Sequence, residues 1–266
     1  MAKLEHKDLL DAGVHFGHLT RKWDPKMAPF IFMEKNGIHI IDLYKTLNCL
    51  DEASNAIRQI VKSGRKILFV ATKKQAREIV TEVAQKNRMP YVTDRWLGGM
   101  LTNFATIRKS LKKLSSMDKM LKEDSYKNLA KRERLMISRE KIKMERVLGG
   151  IADLTRLPAA LFVVDIKREH IAIKEAHKLN IPVFAMVDTN SDPNQVDFPI
   201  PSNDDAFKAV SLIIGRIDEV IEEALNERKK EKDDAKEKEE IDAKKKVDEK
   251  QIEEKKAEDK KAEAAE

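Results

Sequence analysis

The stretch Lys66-Ile67-Leu68-Phe69-Val70-Ala71-Thr72-Lys73-Lys74-Gln75 decides the fold class. Its apolar run is continuous rather than alternating, the pattern of a strand covered on both faces, as in a parallel sheet. Thr72-Lys73-Lys74-Gln75 reads as a capping box, opening a helix through Ile79, Val80 and Val83. The same alternation extends outward in both directions. Upstream, a helix over Leu47 to Val61 stops at Ser63-Gly64. Downstream come strands at Tyr91-Val92-Thr93, Ala160 to Val164, Pro182 to Val187 and Phe198-Pro199-Ile200, with a helix from Ile171 to Leu179. A last helix opens at Asn203 and turns Phe207, Val210, Ile214, Ile217, Ile221 and Leu225 to the core. Asn203 suits its N-cap, and Asp204 and Asp205 suit the positive end of its dipole. The expected fold is α/β: a three-layer parallel sheet with helices on both faces, Rossmann- or flavodoxin-like.

One segment breaks the alternation. Between residues 103 and 147 no strand-like run occurs, and Ile107, Leu111 and Leu114, then Leu129, Arg132, Met136, Ile142 and Val147, recur at helical spacing. The polar residues from Asp118 to Asn128 can hold a turn, so the segment reads as an inserted antiparallel coiled-coil hairpin of two α-helices. The expected organisation is an α/β domain from residues 1–102 and 148–226, the hairpin at 103–147, and a Lys/Glu-rich tail at 227–266. In the tail only Ile241, Val247 and Ile252 are large and apolar, too few to offset the entropy of ordering it. A disordered segment or a single solvated helix is expected there.

The chain has 266 residues, with 52 basic and 46 acidic side chains and a net charge of +6. The tail carries 14 basic and 16 acidic residues, leaving 38 and 30, a net of +8, on residues 1–226. Residues 101–146 alone hold 14 basic and 6 acidic residues, also +8. The whole surplus of the body thus sits in the hairpin, the footprint of a nucleic-acid binder. A single cysteine, Cys49, excludes an internal disulfide and a Cys-rich zinc module. No apolar run is long enough to span a bilayer and the first residues form no signal peptide, so a cytoplasmic protein is expected.

In a parallel sheet, ligands meet the loops at the carboxyl ends of the strands. Those loops here hold Thr72-Lys73-Lys74, Asp94 to Gly99, Asp165 to His170 and Asp188 to Asp192. An enzyme reading gathers Asp165, His170 and Asp188 around Mg²⁺, with a phosphate on Lys73 and Arg95. Against it, no phosphate-binding loop, dinucleotide fingerprint, nucleophile elbow or His/Cys ligand set is present. His15 and His18 are three residues apart without a matching third ligand. Gly149-Gly150 reads as a helix stop. The segment from Ala12 to Met27 mixes glycine, cations and aromatics, which suits RNA contact or an arm packed over a sheet edge.

Ala12-Gly13-Val14-His15-Phe16-Gly17-His18, Trp23-Asp24-Pro25-Lys26-Met27, Arg95-Trp96-Leu97-Gly98-Gly99-Met100-Leu101-Thr102-Asn103, Glu169 to Ala176 and Ile181 to Pro193 occur in this order. Together they closely resemble the signatures of the bacterial small-subunit ribosomal protein S2 family. The resemblance implies an α/β domain with a protruding coiled-coil hairpin, seated on small-subunit rRNA near the head–body junction. It implies neighbouring ribosomal proteins, including the large mRNA-binding first protein, and no catalysis, cofactor or metal. The residues expected to meet rRNA fall in three groups. Arg21, Lys22, Lys26, Lys73 and Lys74 lie on the arm and the first loop. Arg95, Trp96, Gly98, Gly99, Thr102 and Asn103 lie at the hairpin root. Arg108, Lys109, Lys112, Lys113, Lys119, Arg132, Arg134, Arg139 and Lys143 lie on the hairpin.

Overall fold

The computed structural model describes residues 4–122, 130–231 and 233. The expected tail and the turn of the hairpin therefore fall largely outside the described residues. Five strands form a parallel sheet: β4 (Ile67–Val70), β5 (Tyr91–Val92), β6 (Ala160–Val164), β7 (Val183–Val187) and β8 (Phe198–Pro201), in the order β5-β4-β6-β7-β8. All residues of β4, β6 and β7 are buried, which is why these runs are apolar throughout. Register aligns Tyr91, Phe69, Phe162, Phe184 and Phe198 into one aromatic row across all five strands. Phe184 and Phe198 stack at 4.5 Å, and Phe69 and Phe162 tilt at 5.4 Å.

The period of two splits each strand between two cores. Ile67, Phe69, Phe162, Val164, Phe184 and Met186 face α2 (Leu43–Lys62), α3 (Lys74–Lys86) and α7 (residues 207–231). Leu68, Val70, Leu161, Val163, Val183 and Ala185 face α6 (His170–Lys178) and the hairpin root. The chain leaves β4 toward β5, then crosses back to β6 and continues the other way. The crevice between the carboxyl ends of β4 and β6 is therefore the topological switch point.

Before the sheet lie α1 (His6–Asp11) and an antiparallel sheet of β1 (Phe16–Leu19), β2 (Ile31–Lys35) and β3 (Ile38–Ile41), ordered β1-β3-β2. The reading of residues 12–27 as an arm foresaw no such sheet, although Asn36-Gly37 signals its hairpin. Both residues have positive φ, 55° and 74°, as a two-residue turn between twisted strands requires. The arm does pack over the parallel sheet: Asp24 N donates to the Thr189 carbonyl at 2.8 Å, and Met27 is fully buried.

Two local readings are corrected, and a third gains a packing reason. The Thr72 hydroxyl bonds the Glu169 carboxylate instead of capping α3, whose N-cap is Lys73 without a side-chain bond. Asn203 does not sit at the start of α7. Its Oδ1 accepts from Asp205 N (2.8 Å) and Ala206 N (3.1 Å) in a turn, and the helix begins at Phe207, which is 56 % exposed instead of facing the core. The helix stop at Gly149-Gly150 holds: α5 (Lys131–Leu148) ends with Gly149 as its C-cap, and a Cβ on Gly150 would stand 2.2 Å from the Tyr91 carbonyl, so this glycine also lets the chain leaving α5 cross β5 closely.

Candidate nucleic-acid interface

The hairpin segment forms two helices, α4 (Phe104–Lys122) and α5, packed on each other. On α4, Ile107 and Leu114 are buried and Leu111 and Met117 half-buried, a narrow seam at helical spacing. At 100° per residue, Arg108, Lys119, Lys112 and Lys109 share about a third of the circumference on the opposite side. All four are exposed. On α5, exposed Arg132, Arg139 and Lys143 share one outer face, interleaved with Met136 (62 % exposed) and Ile142 (61 % exposed). Arg108, Lys109, Lys112, Lys119, Arg132, Arg139 and Lys143 form no ion pair with another described residue.

Two predicted hairpin cations differ. Lys113 bridges the helices to Glu140 at 2.5 Å, as Lys141 does to Asp118 at 2.7 Å. Arg134 is half-buried, on the α5 face that also carries Lys141 and Leu148, one heptad apart, and so turns toward α4.

The root of the hairpin is a loop folded around one carboxylate. Glu175 of α6 is buried, and its Oε1 accepts from Trp96 Nε1 (3.1 Å) and Gly99 N (2.7 Å). Its Oε2 accepts from Leu101 N (3.0 Å), Thr102 N (3.0 Å) and Thr102 Oγ1 (3.1 Å). Burial pushes its pKa up, but the bonds from Thr102, Trp96, Gly99 and Leu101 outweigh burial and hold it below the usual carboxylate range. The placement corrects two expectations. Trp96 is only 7 % exposed, in one buried cluster with Met100, Leu101 and Ile107, and has no open face on which a base could stack. The N–H groups of Gly99, Leu101 and Thr102 point inward. Arg95, Gly98, Thr102 and Asn103 remain at the surface. Gly99 is needed for its φ of +86°. Beside the loop, Asp94 Oδ1 meets Arg77 Nη1 (3.2 Å) and Arg146 Nη2 (3.1 Å), joining α3 and α5.

The switch point holds a second polar cluster. Lys73, expected to meet phosphate, is buried, and its Nζ lies 2.8 Å from Asp204, 2.6 Å from Asp205 and 3.7 Å from Asp165. Burial pushes its pKa down, but these carboxylates raise it overall. His18 Nδ1 donates to Asp188 at 3.0 Å, and this bond raises the His18 pKa against burial. Asp204 is pushed up to about 7 by burial and by the nearby Asp188 and Asp165. One ligand atom each from His18, Asp188 and Asp204 lies within 4.8 Å of the others, and Asp204 Oδ2 is buried without a hydrogen-bond partner. These three could hold a small divalent cation. The enzyme reading misplaced its histidine: exposed His170 turns to the Lys167 carbonyl, and His18, 170 residues before Asp188, takes the place beside the aspartates. Arg95 is at the hairpin root, outside this cluster. The pairing of positions so far apart in the chain has no local signal.

Among the arm residues, Arg21 and Lys22 are exposed, and exposed Lys26 pairs with Asp192 at 2.6 Å. Lys74 is exposed at the start of α3. Among the described residues, no helix is long and apolar enough to cross a membrane.

Residues 9–224 match the family model described as Ribosomal protein S2. The chain is 71 % identical over 246 residues to the small ribosomal subunit protein uS2 of Cytophaga hutchinsonii, covering 92 % of this chain and 97 % of the relative. It is 63 % identical over 229 residues to the protein of the same name from Christiangramia forsetii (86 % and 77 % covered). With that of Flavobacterium johnsoniae it shares 62 % over 231 residues (87 % and 91 % covered).

Proposed function

The chain belongs to the ribosomal protein S2 family, and from that premise we propose that it is a non-catalytic structural constituent of the bacterial small ribosomal subunit that clamps small-subunit rRNA. It works in the cytoplasmic ribosome. The observation that carries the rRNA reading is the set of seven exposed hairpin cations without an acidic partner among the described residues. Charges left unpaired inside the protein are available to phosphates, and neutralising phosphates releases counterions. α4 and α5 act as an antiparallel coiled-coil hairpin, residues 103–147, projecting from an α/β domain of residues 1–102 and 148–226. Arg21, Lys22, Lys74, Arg95, Gly98 and Asn103 add contacts from the arm, the first loop and the hairpin root, so that the rigid fold sets RNA helices relative to one another near the head–body junction. The tail, with its net charge of −2, is not drawn to RNA.

Protein neighbours in the subunit, among them the large mRNA-binding first protein, are supported by an apolar surface on the antiparallel sheet. Phe16, Phe32 and Met33 of the sheet and Tyr44 of α2 are exposed around a cavity of about 470 Å³. The rRNA reading is tested by binding of the full-length protein to small-subunit rRNA fragments across a salt series. If about 5 phosphates are neutralised, log K falls with log salt at a slope of roughly −3.5 to −4.5. A slope near zero, or no binding at low salt, would overturn it.

A further inference from the structure

We propose that Glu175 is a positioning residue for the rRNA-facing surface: its single buried carboxylate folds the loop from Trp96 to Thr102 and thereby fixes Arg95 and the direction in which the hairpin leaves the body. This rests on the reading of the hairpin as an rRNA clamp.

Five hydrogen bonds from one short loop converge on this one side chain, three of them from backbone N–H groups, at 2.7 to 3.1 Å. A cluster of backbone N–H groups of this kind is an anion-binding nest. Here the nest is filled from within by a carboxylate of α6, a helix anchored to the sheet through Ala172, Ile173 and Ala176. The loop therefore takes its shape from the rigid body as well as from its own Gly99. Gly99 bends the chain at positive φ between the two halves of the nest, Gly99 on one carboxylate oxygen and Leu101 with Thr102 on the other. The backbone then enters α4 two residues after Thr102. Because α4 begins immediately after the nest, a small rotation of the loop is carried along a helix of 19 residues to the outer cations. Arg95 lies between this nest and the Asp94 contact that ties α3 to α5. Exposed Arg95 makes no hydrogen bond or ion pair with another described residue.

Glu175→Gln in the full-length protein keeps the size of the side chain but turns an amide NH₂ toward donors of the loop. We expect helix content by circular dichroism to be retained and affinity for the rRNA fragment to fall about tenfold. The salt slope should become shallower, because fewer cations engage together. With Trp23→Phe as background, Trp96 is the sole indole, and its acrylamide quenching should rise in Glu175→Gln. In an Arg108/Lys109/Lys112→Gln background, Glu175→Gln should cost clearly less than the roughly tenfold it costs in the wild type, since part of the positioned charge is gone.

A lowered thermal midpoint with unchanged affinity and salt slope, measured well below that midpoint, would show that Glu175 only stabilises the fold and would overturn the proposal. If the hairpin variant itself binds rRNA as wild type does, the clamp reading fails instead, so the two failures are distinguishable. Should Glu175→Gln not fold, Thr102→Val removes one donor from the same carboxylate at the exposed rim. It should weaken binding in the same direction by about twofold to threefold, and no change there would overturn the proposal.

Discussion

Lys73 and Lys112 are the same residue type in opposite circumstances. Lys73 is buried at the switch point and surrounded by Asp165, Asp204 and Asp205, so its charge is consumed inside the protein. Lys112 stands exposed on α4 with no acidic partner among the described residues, so its charge can act only outward. The contrast extends to both regions. At the carboxyl edge of the sheet, cations are matched by aspartates and hold loops together. On the hairpin, cations exceed acids, and matched ones such as Lys113 and Lys141 join the two helices. A positive count says nothing of which charges face outward; the count left after internal pairing does.

The sharpest way to break this comparison is to remove the outward charges. Arg108, Lys109, Lys112 and Arg132 changed together to Gln should flatten the salt slope by about three units and weaken rRNA binding about a thousandfold at 0.1 M salt. Thermal stability should change by less than about 1 kcal/mol, because all four positions are exposed. Unchanged binding would move the interface off the hairpin.

Lys73→Met should do the reverse. It leaves Asp204 buried without its cation and should lower stability by about 3 kcal/mol at pH 8, read by chemical denaturation. The salt slope of rRNA binding should stay as in the wild type. A large change in slope with little loss of stability would place Lys73 on the RNA-facing side after all.

The paired cluster should also respond to pH in a known direction. Asp204 is raised to about 7 and His18 is raised above its ordinary value, so the folded protein holds both protons more tightly than the unfolded chain. Their stabilisation is complete below the unfolded pKa values, about 4 for the aspartate and 6.5 for the histidine, and is lost as pH rises through the folded ones. In the presence of a chelator, the thermal midpoint should fall between pH 6 and pH 8.5, and Asp204→Asn should flatten that dependence. A midpoint that rises over this range contradicts the cluster geometry.

The smallest effect concerns the tail. Truncation after residue 233 removes a segment whose charges nearly cancel, and the salt slope should move by less than about half a unit. A larger change than the hairpin variant gives would reverse the assignment of the two regions.

Much of the layered fold is legible locally. Strands β4, β6 and β7 are continuous apolar runs because helices cover both their faces, and Val210, Ile214, Ile217 and Ile221 announce α7 by spacing alone. The antiparallel sheet is legible too, through Asn36-Gly37, but the glycine, cationic and aromatic residues before it have a composition that suits RNA contact equally well. At the interface, charge density pointed to the hairpin as a segment, and helical spacing could separate outer Lys112 from inner Arg134. It could not tell that Trp96 is core, because an indole next to Arg95 looks the same whether it packs or stacks.

Amphipathic period, runs of apolar residues, charge balance and ordered motifs are properties of neighbouring residues, and the sequence alone determined the α/β class, the break in it after Asn103, the basic surplus and the family. Which charges cancel is a matter of distance in space, and only the tertiary structure decided it. His18 meets Asp188, Lys73 meets Asp204 and Glu175 meets the loop at Gly99 across separations of 76 to 170 residues. Strand order and register bring those positions together, and both are set by burial of the two faces of the sheet, to which no single stretch of chain contributes enough to be read by itself.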